Sequence, residues 1–160
     1  IVMGQNVPTA PQRYVLIANA PLGTTAVTCT DVNESNDTAA TATPIASATP
    51  ILGRFCAQGD VDYFKFTAIS PGSASVTLTA TDTPVRMTVL INGVAGPVQT
   101  IAAGTTGAIV VDFPPIVSAP GTMAMAVRVE PAGAIGSNAS YTITATYSFS
   151  SPARKRTVRH

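Results

Sequence analysis

Polar and apolar residues alternate singly along most of this chain. Val76 and Leu78 stand against Thr77 and Thr79. Tyr141, Ile143, Ala145 and Tyr147 share one side of a segment whose other side carries threonines. Successive side chains of a strand point to opposite faces, so a period of two gives each segment one buried and one wet face. Helical periodicity is almost absent. The pattern predicts strands at Arg13–Asn19, Ile51–Cys56, Val61–Ala68, Ala74–Thr81, Arg86–Ile91, Ala108–Phe113, Met123–Glu130 and Ser140–Phe149. Turn signals separate them: SPGS at 70–73, TDTP at 81–84, NGVAGP at 92–97, AAGTTG at 102–107, SAPG at 118–121 and PAGAIGSN at 131–138. Many short strands at this spacing mean a β-sandwich or barrel. The expected fold class is all-β, an antiparallel β-sandwich. Its expected core holds Phe64, Phe66, Val76, Leu78, Val89, Ile91, Val111, Val127, Ile143 and Tyr147.

Three regions depart from the pattern. Residues 35–49 are rich in Ala and Thr and lie before Pro50. They could form a turn of helix capped by Asn36 or Asp37, or run extended as a linker. Residues 1–30 hold a loop and one isolated strand, which reads as a linker or the end of a preceding β-domain. Residues 150–160 read as a solvated basic tail. The expected sandwich domain is residues 31–149. Because Ile1 is not an initiator Met, the chain reads as a mature product or a piece of something longer.

Charge is scarce and unevenly placed. Only 11% of the 160 residues are charged, against 46% hydrophobic. The net charge of +1 argues against a nucleic-acid partner. No apolar run is long enough to span a bilayer, and the start lacks a charged-then-apolar signal pattern. Asp31, Glu34, Asp37, Asp60 and Asp62 are five of the eight acids; Arg154, Lys155, Arg156 and Arg159 are four of the nine bases. The two cysteines, Cys29 and Cys56, each adjoin one half of the acidic group. A Cys29–Cys56 bridge would tie those halves together and fits an oxidising, extracellular compartment. Two unrelated buried thiols are the alternative.

The available chemistry is narrow. The single histidine, His160, is the last residue, which leaves no HExxH zinc site and no Ser/His/Asp or Cys/His arrangement. No glycine-rich phosphate loop precedes a helix. A glycosidase-type carboxylate pair survives counting alone. The acids, however, come with amide and hydroxyl neighbours. Asp31, Asn33, Glu34, Asn36 and Asp37 lie close in sequence, followed by Asp60 and Asp62. Calcium takes six to eight oxygen ligands, and no thiolate or imidazole cluster competes for a softer metal. A solvated acidic loop is the plain alternative. Strand alternation puts Asp62 on the side of Phe64 and Phe66, at the rim of the core face. There it needs a partner: a cation, an arginine such as Arg54, or backbone N–H groups.

Glu34-Ser-Asn36-Asp37-Thr38, a small-residue linker, Ile51-Leu-Gly53 and Gly59-Asp-Val-Asp62-Tyr-Phe64-Lys-Phe66 together resemble the bacterial pre-peptidase C-terminal domain. The closing Tyr141-Thr-Ile-Thr-Ala-Thr146 is similar to that family's last strand. The resemblance covers about Asp31 to Ser148. It implies a jelly-roll-like sandwich attached to secreted peptidases, related to the collagen-binding domains of clostridial collagenases. It also implies calcium held by Glu34, Asn36, Asp37 and Asp62, with Asp60 beside them. Where those relatives often carry a further acid, this chain has Val32. Pro11-Gln-Arg-Tyr-Val-Leu-Ile-Ala18 resembles the final strand of the β-domain that follows the catalytic domain in some subtilisin-like proteases.

The expected function is a non-catalytic accessory domain of a secreted peptidase. It would bind extracellular protein or polysaccharide through exposed Tyr and Thr residues of one sheet, or aid folding and secretion of its catalytic domain. A structural module of a cell-wall or surface protein is the alternative. N-glycosylation triplets occur at Asn33, Asn36 and Asn138, and a glycan on Asn36 would compete with its use as a calcium ligand.

Overall fold

The structure is a computed structural model, and it describes residues 29–113 and 121–148. The expected strand Arg13–Asn19, residues 1–28 of the segment expected at 1–30 and the tail expected at 150–160 lie outside the described residues.

Nine strands form two sheets. They are β1 (Thr43–Pro44), β2 (Ile51–Arg54), β3 (Asp62–Ser70), β4 (Gly72–Ala80), β5 (Val85–Ile91), β6 (Val94–Ile101), β7 (Thr106–Phe113), β8 (Gly121–Pro131) and β9 (Ser140–Tyr147). One sheet has the order β1-β3-β8-β5-β6, the other β2-β9-β4-β7. Pairing is antiparallel except between β1 and β3, which run parallel. The all-β sandwich expected from the alternation is the fold.

The two inner faces are the apolar halves of the alternating segments. β3 turns Phe64, Phe66 and Ala68 inward; β4 turns Val76 and Leu78; β9 turns Tyr141, Ile143 and Ala145. Of the expected core, Phe64, Phe66, Val76, Leu78, Val89, Val111, Val127 and Ile143 are buried. Ile91 and Tyr147 pack half-buried against them. Non-polar area removed from water in this way is the main force holding the sheets together. The opposite face of β4 and β9 carries Ser75, Thr77 and Thr79 beside Thr146, Thr144 and Thr142.

One open alternative is resolved and one expectation changes. Residues 35–49 form no helix. Thr38–Thr41 make a turn in which the Thr41 N–H donates to the Thr38 carbonyl at 3.1 Å, and Thr43–Pro44 join β3 as a short edge strand. Threonine hydroxyls close that turn through side chain–backbone bonds, which compete with helix formation. The stretch 92–97 is not one long turn. Asn92 and Gly93 have φ of 50° and 81°, as a two-residue primed hairpin requires, and Val94 already pairs as β6. Gly96 and Pro97 look like turn residues, yet they sit together opposite Val89 in a bulge of an edge strand. An edge bulge tolerates a proline that donates no hydrogen bond. The missing side chain of Gly96 allows a close approach, since a Cβ there would lie 3.2 Å from the Val89 carbonyl oxygen.

Candidate metal centre

The acidic residues gather at the end of the sandwich where β3 begins. Asp31 and Asn33 run beside β2, an edge strand of the four-stranded sheet. Asp31 Oδ2 accepts the Arg54 N–H at 2.7 Å, and Asn33 Nδ2 donates to the Leu52 carbonyl at 2.8 Å. Asp31 Oδ1 accepts from both the Asn33 N–H, at 2.8 Å, and Asn33 Nδ2, at 2.9 Å. These side chains occupy backbone groups that an edge strand otherwise leaves open. Asp31 is thus saturated with donors and serves the fold.

The chain then turns across the start of β3. The Asn36 carbonyl accepts the Tyr63 N–H at 2.8 Å, and the Asn36 N–H donates to Glu34 Oε2 at 3.2 Å. From the other side, the turn after β2 brings in Asp60, whose Oδ2 accepts the Cys56 N–H at 2.7 Å. One carboxylate oxygen each from Glu34, Asp37 and Asp60 lie within 4.8 Å of one another. Glu34 and Asp37 are exposed and Asp60 is half-buried. Cys29 and Cys56 form a disulfide with Cα atoms 5.3 Å apart, which closes the chain segment carrying Glu34 and Asp37. Such a bridge stabilises chiefly by restricting the unfolded chain, typically by about 2–4 kcal/mol.

Asn36 and Asp62 lie inside. Both are 0% exposed. Tyr141 donates its hydroxyl proton to Asp62 Oδ2 at 2.5 Å. Asp62 Oδ1 has no partner, and neither the Oδ1 nor the Nδ2 of Asn36 has one. Buried polar atoms are nearly always hydrogen-bonded, and each exception costs about 1–3 kcal/mol. Three such atoms on two neighbouring residues therefore need an explanation. Burial pushes the Asp62 carboxyl up to about 7, opposed by the Tyr141 hydrogen bond and reinforced by the charges of Asp31, Asp60 and Glu34. The Glu34 carboxyl is raised too, first by its partial desolvation and then by Asp37, Asp60 and Asp31, against the Asn36 N–H. Tyr141 is held well above the usual tyrosine range by burial and by the adjacent Asp62 charge.

The sequence-predicted ligands thus occupy two layers. Glu34, Asp37 and Asp60 converge at the surface, while Asn36 and Asp62 lie buried next to them in the chain. The donor set is all oxygen apart from the Asn36 amide nitrogen, and the unpartnered Oδ1 atoms of Asn36 and Asp62 suit a hard cation such as calcium.

Arg54 is not the partner of Asp62. It contributes its backbone N–H to Asp31, and the ion pairs among the described residues are Arg86–Glu130 and Arg128–Glu130. The protein partner is Tyr141, which alternation marks only as a core residue. A tyrosine on a fully buried face needs a mate for its hydroxyl, and that was the available signal.

Burial also bears on the glycosylation triplets and on the tyrosines. Asn36 is enclosed and cannot present its amide to a glycosylating enzyme in the folded chain. Asn33 is half-buried with Nδ2 committed to two acceptors, whereas Asn138 is exposed. Tyr141 is fully buried, and Tyr147 stacks on Phe66 at 4.5 Å and donates to the Ile45 carbonyl at 2.8 Å. The wet face of β4 and β9 therefore carries hydroxyl residues without these tyrosines, flanked by exposed Leu52 of β2 and Val110 of β7.

Compared with protein-family models and with curated proteins, the chain finds no match.

Proposed function

We propose that this sandwich is a calcium-binding, non-catalytic accessory module of a secreted protein. The observation that carries the reading is the set of unpartnered buried atoms on Asn36 and Asp62 beside the converging carboxylates of Glu34, Asp37 and Asp60. A divalent ion would satisfy the two buried Oδ1 atoms and offset the burial and, after it, the neighbouring charges that raise the Asp62 and Glu34 carboxyls. Glu34, Asn36, Asp37, Asp60 and Asp62 would hold it. Calcium would supply charge and a cross-link between the residue 31–37 segment and the start of β3. The disulfide supports an oxidising location. Among the described residues no helix is long and apolar enough to cross a membrane.

The wider role follows the resemblance of the two acidic motifs. The module would accompany a peptidase catalytic domain, subtilisin-like in the reading of residues 11–18. It would bind extracellular protein or polysaccharide through a sheet face, or aid folding of its partner domain.

Thermal unfolding with calcium and with EDTA tests the site. A ligand that binds only the folded state at about 100 times its Kd adds about 2.7 kcal/mol. For a domain of this size that is a rise of roughly 10 °C in the melting midpoint. Asp37→Asn should shrink the rise. A midpoint indifferent to millimolar calcium would remove the reading.

A further inference from the structure

The two oxygens of Asp62 have different fates. Oδ2 is held by the Tyr141 hydroxyl from β9, 79 residues away in sequence, and Oδ1 is buried without a partner. A carboxylate fixed through one oxygen presents the other in a defined direction, so the hydroxyl decides which oxygen stays free. Tyr141 is itself packed on all sides. It is 0% exposed, packs edge-on to Phe64 at 6.2 Å and 87°, and lies 5.0 Å from Phe55. Its register partner in β2 is Gly53, and a Cβ built on Gly53 would run into the Tyr141 ring and hydroxyl. The absence of a side chain at position 53 therefore makes the room in which the ring reaches Asp62.

We propose that Tyr141, seated over Gly53, is a positioning residue of the metal centre: it takes Oδ2 of Asp62 and thereby presents Oδ1 to the cation. This rests on the reading of the centre as a calcium site. Groups that hydrogen-bond a metal ligand from behind fix its orientation, and their loss typically costs about 10–100-fold in affinity.

Calorimetric titration of the full chain with calcium tests this, with the melting midpoint in EDTA measured alongside. Terbium serves as a second probe, because its luminescence lifetimes in H2O and D2O count bound waters. Tyr141→Phe keeps the ring and removes the hydroxyl. It should raise the calcium Kd by about tenfold or more and add a water to bound terbium as Asp62 swings away. Gly53→Ala keeps the hydroxyl, displaces the ring, and should raise Kd in the same direction; it carries the test if Tyr141→Phe fails to fold. A purely structural Tyr141 would lower the EDTA midpoint and leave Kd and the water count at wild-type values, and that result overturns the proposal. If the wild type binds calcium and Tyr141→Phe binds it equally, the positioning role falls alone. If the wild type binds no calcium, the calcium reading falls and the positioning role falls with it.

Discussion

Asp31 and Asp62 are buried carboxylates of one acidic group, and they are treated in opposite ways. Asp31, 8% exposed, accepts hydrogen bonds from the Arg54 N–H and from both the N–H and the side-chain amide of Asn33. Asp62, 0% exposed, has Tyr141 on one oxygen and nothing on the other. The first lies along a strand edge whose open backbone donors satisfy a carboxylate. The second starts a strand facing the core, where neighbouring backbone groups are already paired. Burial alone therefore does not set the two acids apart; the supply of donors does.

Removing each carboxylate should separate the two roles. The largest effect is expected from Asp31→Ala, which strands the Arg54 and Asn33 N–H groups. It should cost about 3 kcal/mol in chemical denaturation, at about 1–3 kcal/mol for each unsatisfied group. The loss should be the same in calcium and in EDTA. A loss that appears only with calcium present would make Asp31 a ligand and collapse the comparison.

Asp62→Asn should act with the opposite sign when calcium is absent. The folded-state carboxyl titrates at about 7, above its ordinary value of 3.8. The folded state thus holds the proton more tightly than the unfolded state. This residue's contribution is most favourable at low pH and is lost as pH rises towards and through about 7. In EDTA at pH 8 the neutral asparagine should raise the melting midpoint and flatten the pH dependence below 7. In calcium it should lose the ion's stabilisation. An Asp62→Asn variant less stable than wild type in EDTA at pH 8 would contradict the donor-shortage argument.

The smallest effect is expected from Asn33→Ala. It removes the side-chain bonds to Leu52 and Asp31 at a half-buried position. Water can replace those partners, so the cost should be about 0.5–1.5 kcal/mol. Amide exchange at β2 should speed up while calcium affinity stays unchanged. Altered affinity would show that the edge segment and the metal centre are energetically coupled.

The pattern of residues determined a good deal by itself. Alternation at Val76–Thr79 and Tyr141–Tyr147 assigns each side chain to a face without any tertiary information, because a strand's side-chain period is two. From that come the sandwich and most of its core. The Asn-Gly pair at 92–93 determines a turn, because both residues tolerate positive φ. Two acidic stretches flanked by cysteines suggested a common location, and the disulfide between Cys29 and Cys56 joins those stretches. Tertiary structure decided the rest. β6 depends on the bulge opposite Val89, and Gly96-Pro97 reads locally as a turn because local propensity cannot see a neighbouring strand. The division of the acids into Asp31 at a strand edge, a surface trio and a buried Asp62 depends on which donors lie within reach. Tyr141 reaches Asp62 only because β9 pairs with β2 in the register that sets it over Gly53. Those contacts span 79 and 88 residues of chain, and a hydrogen bond forms over about 3 Å in space whatever the separation in sequence.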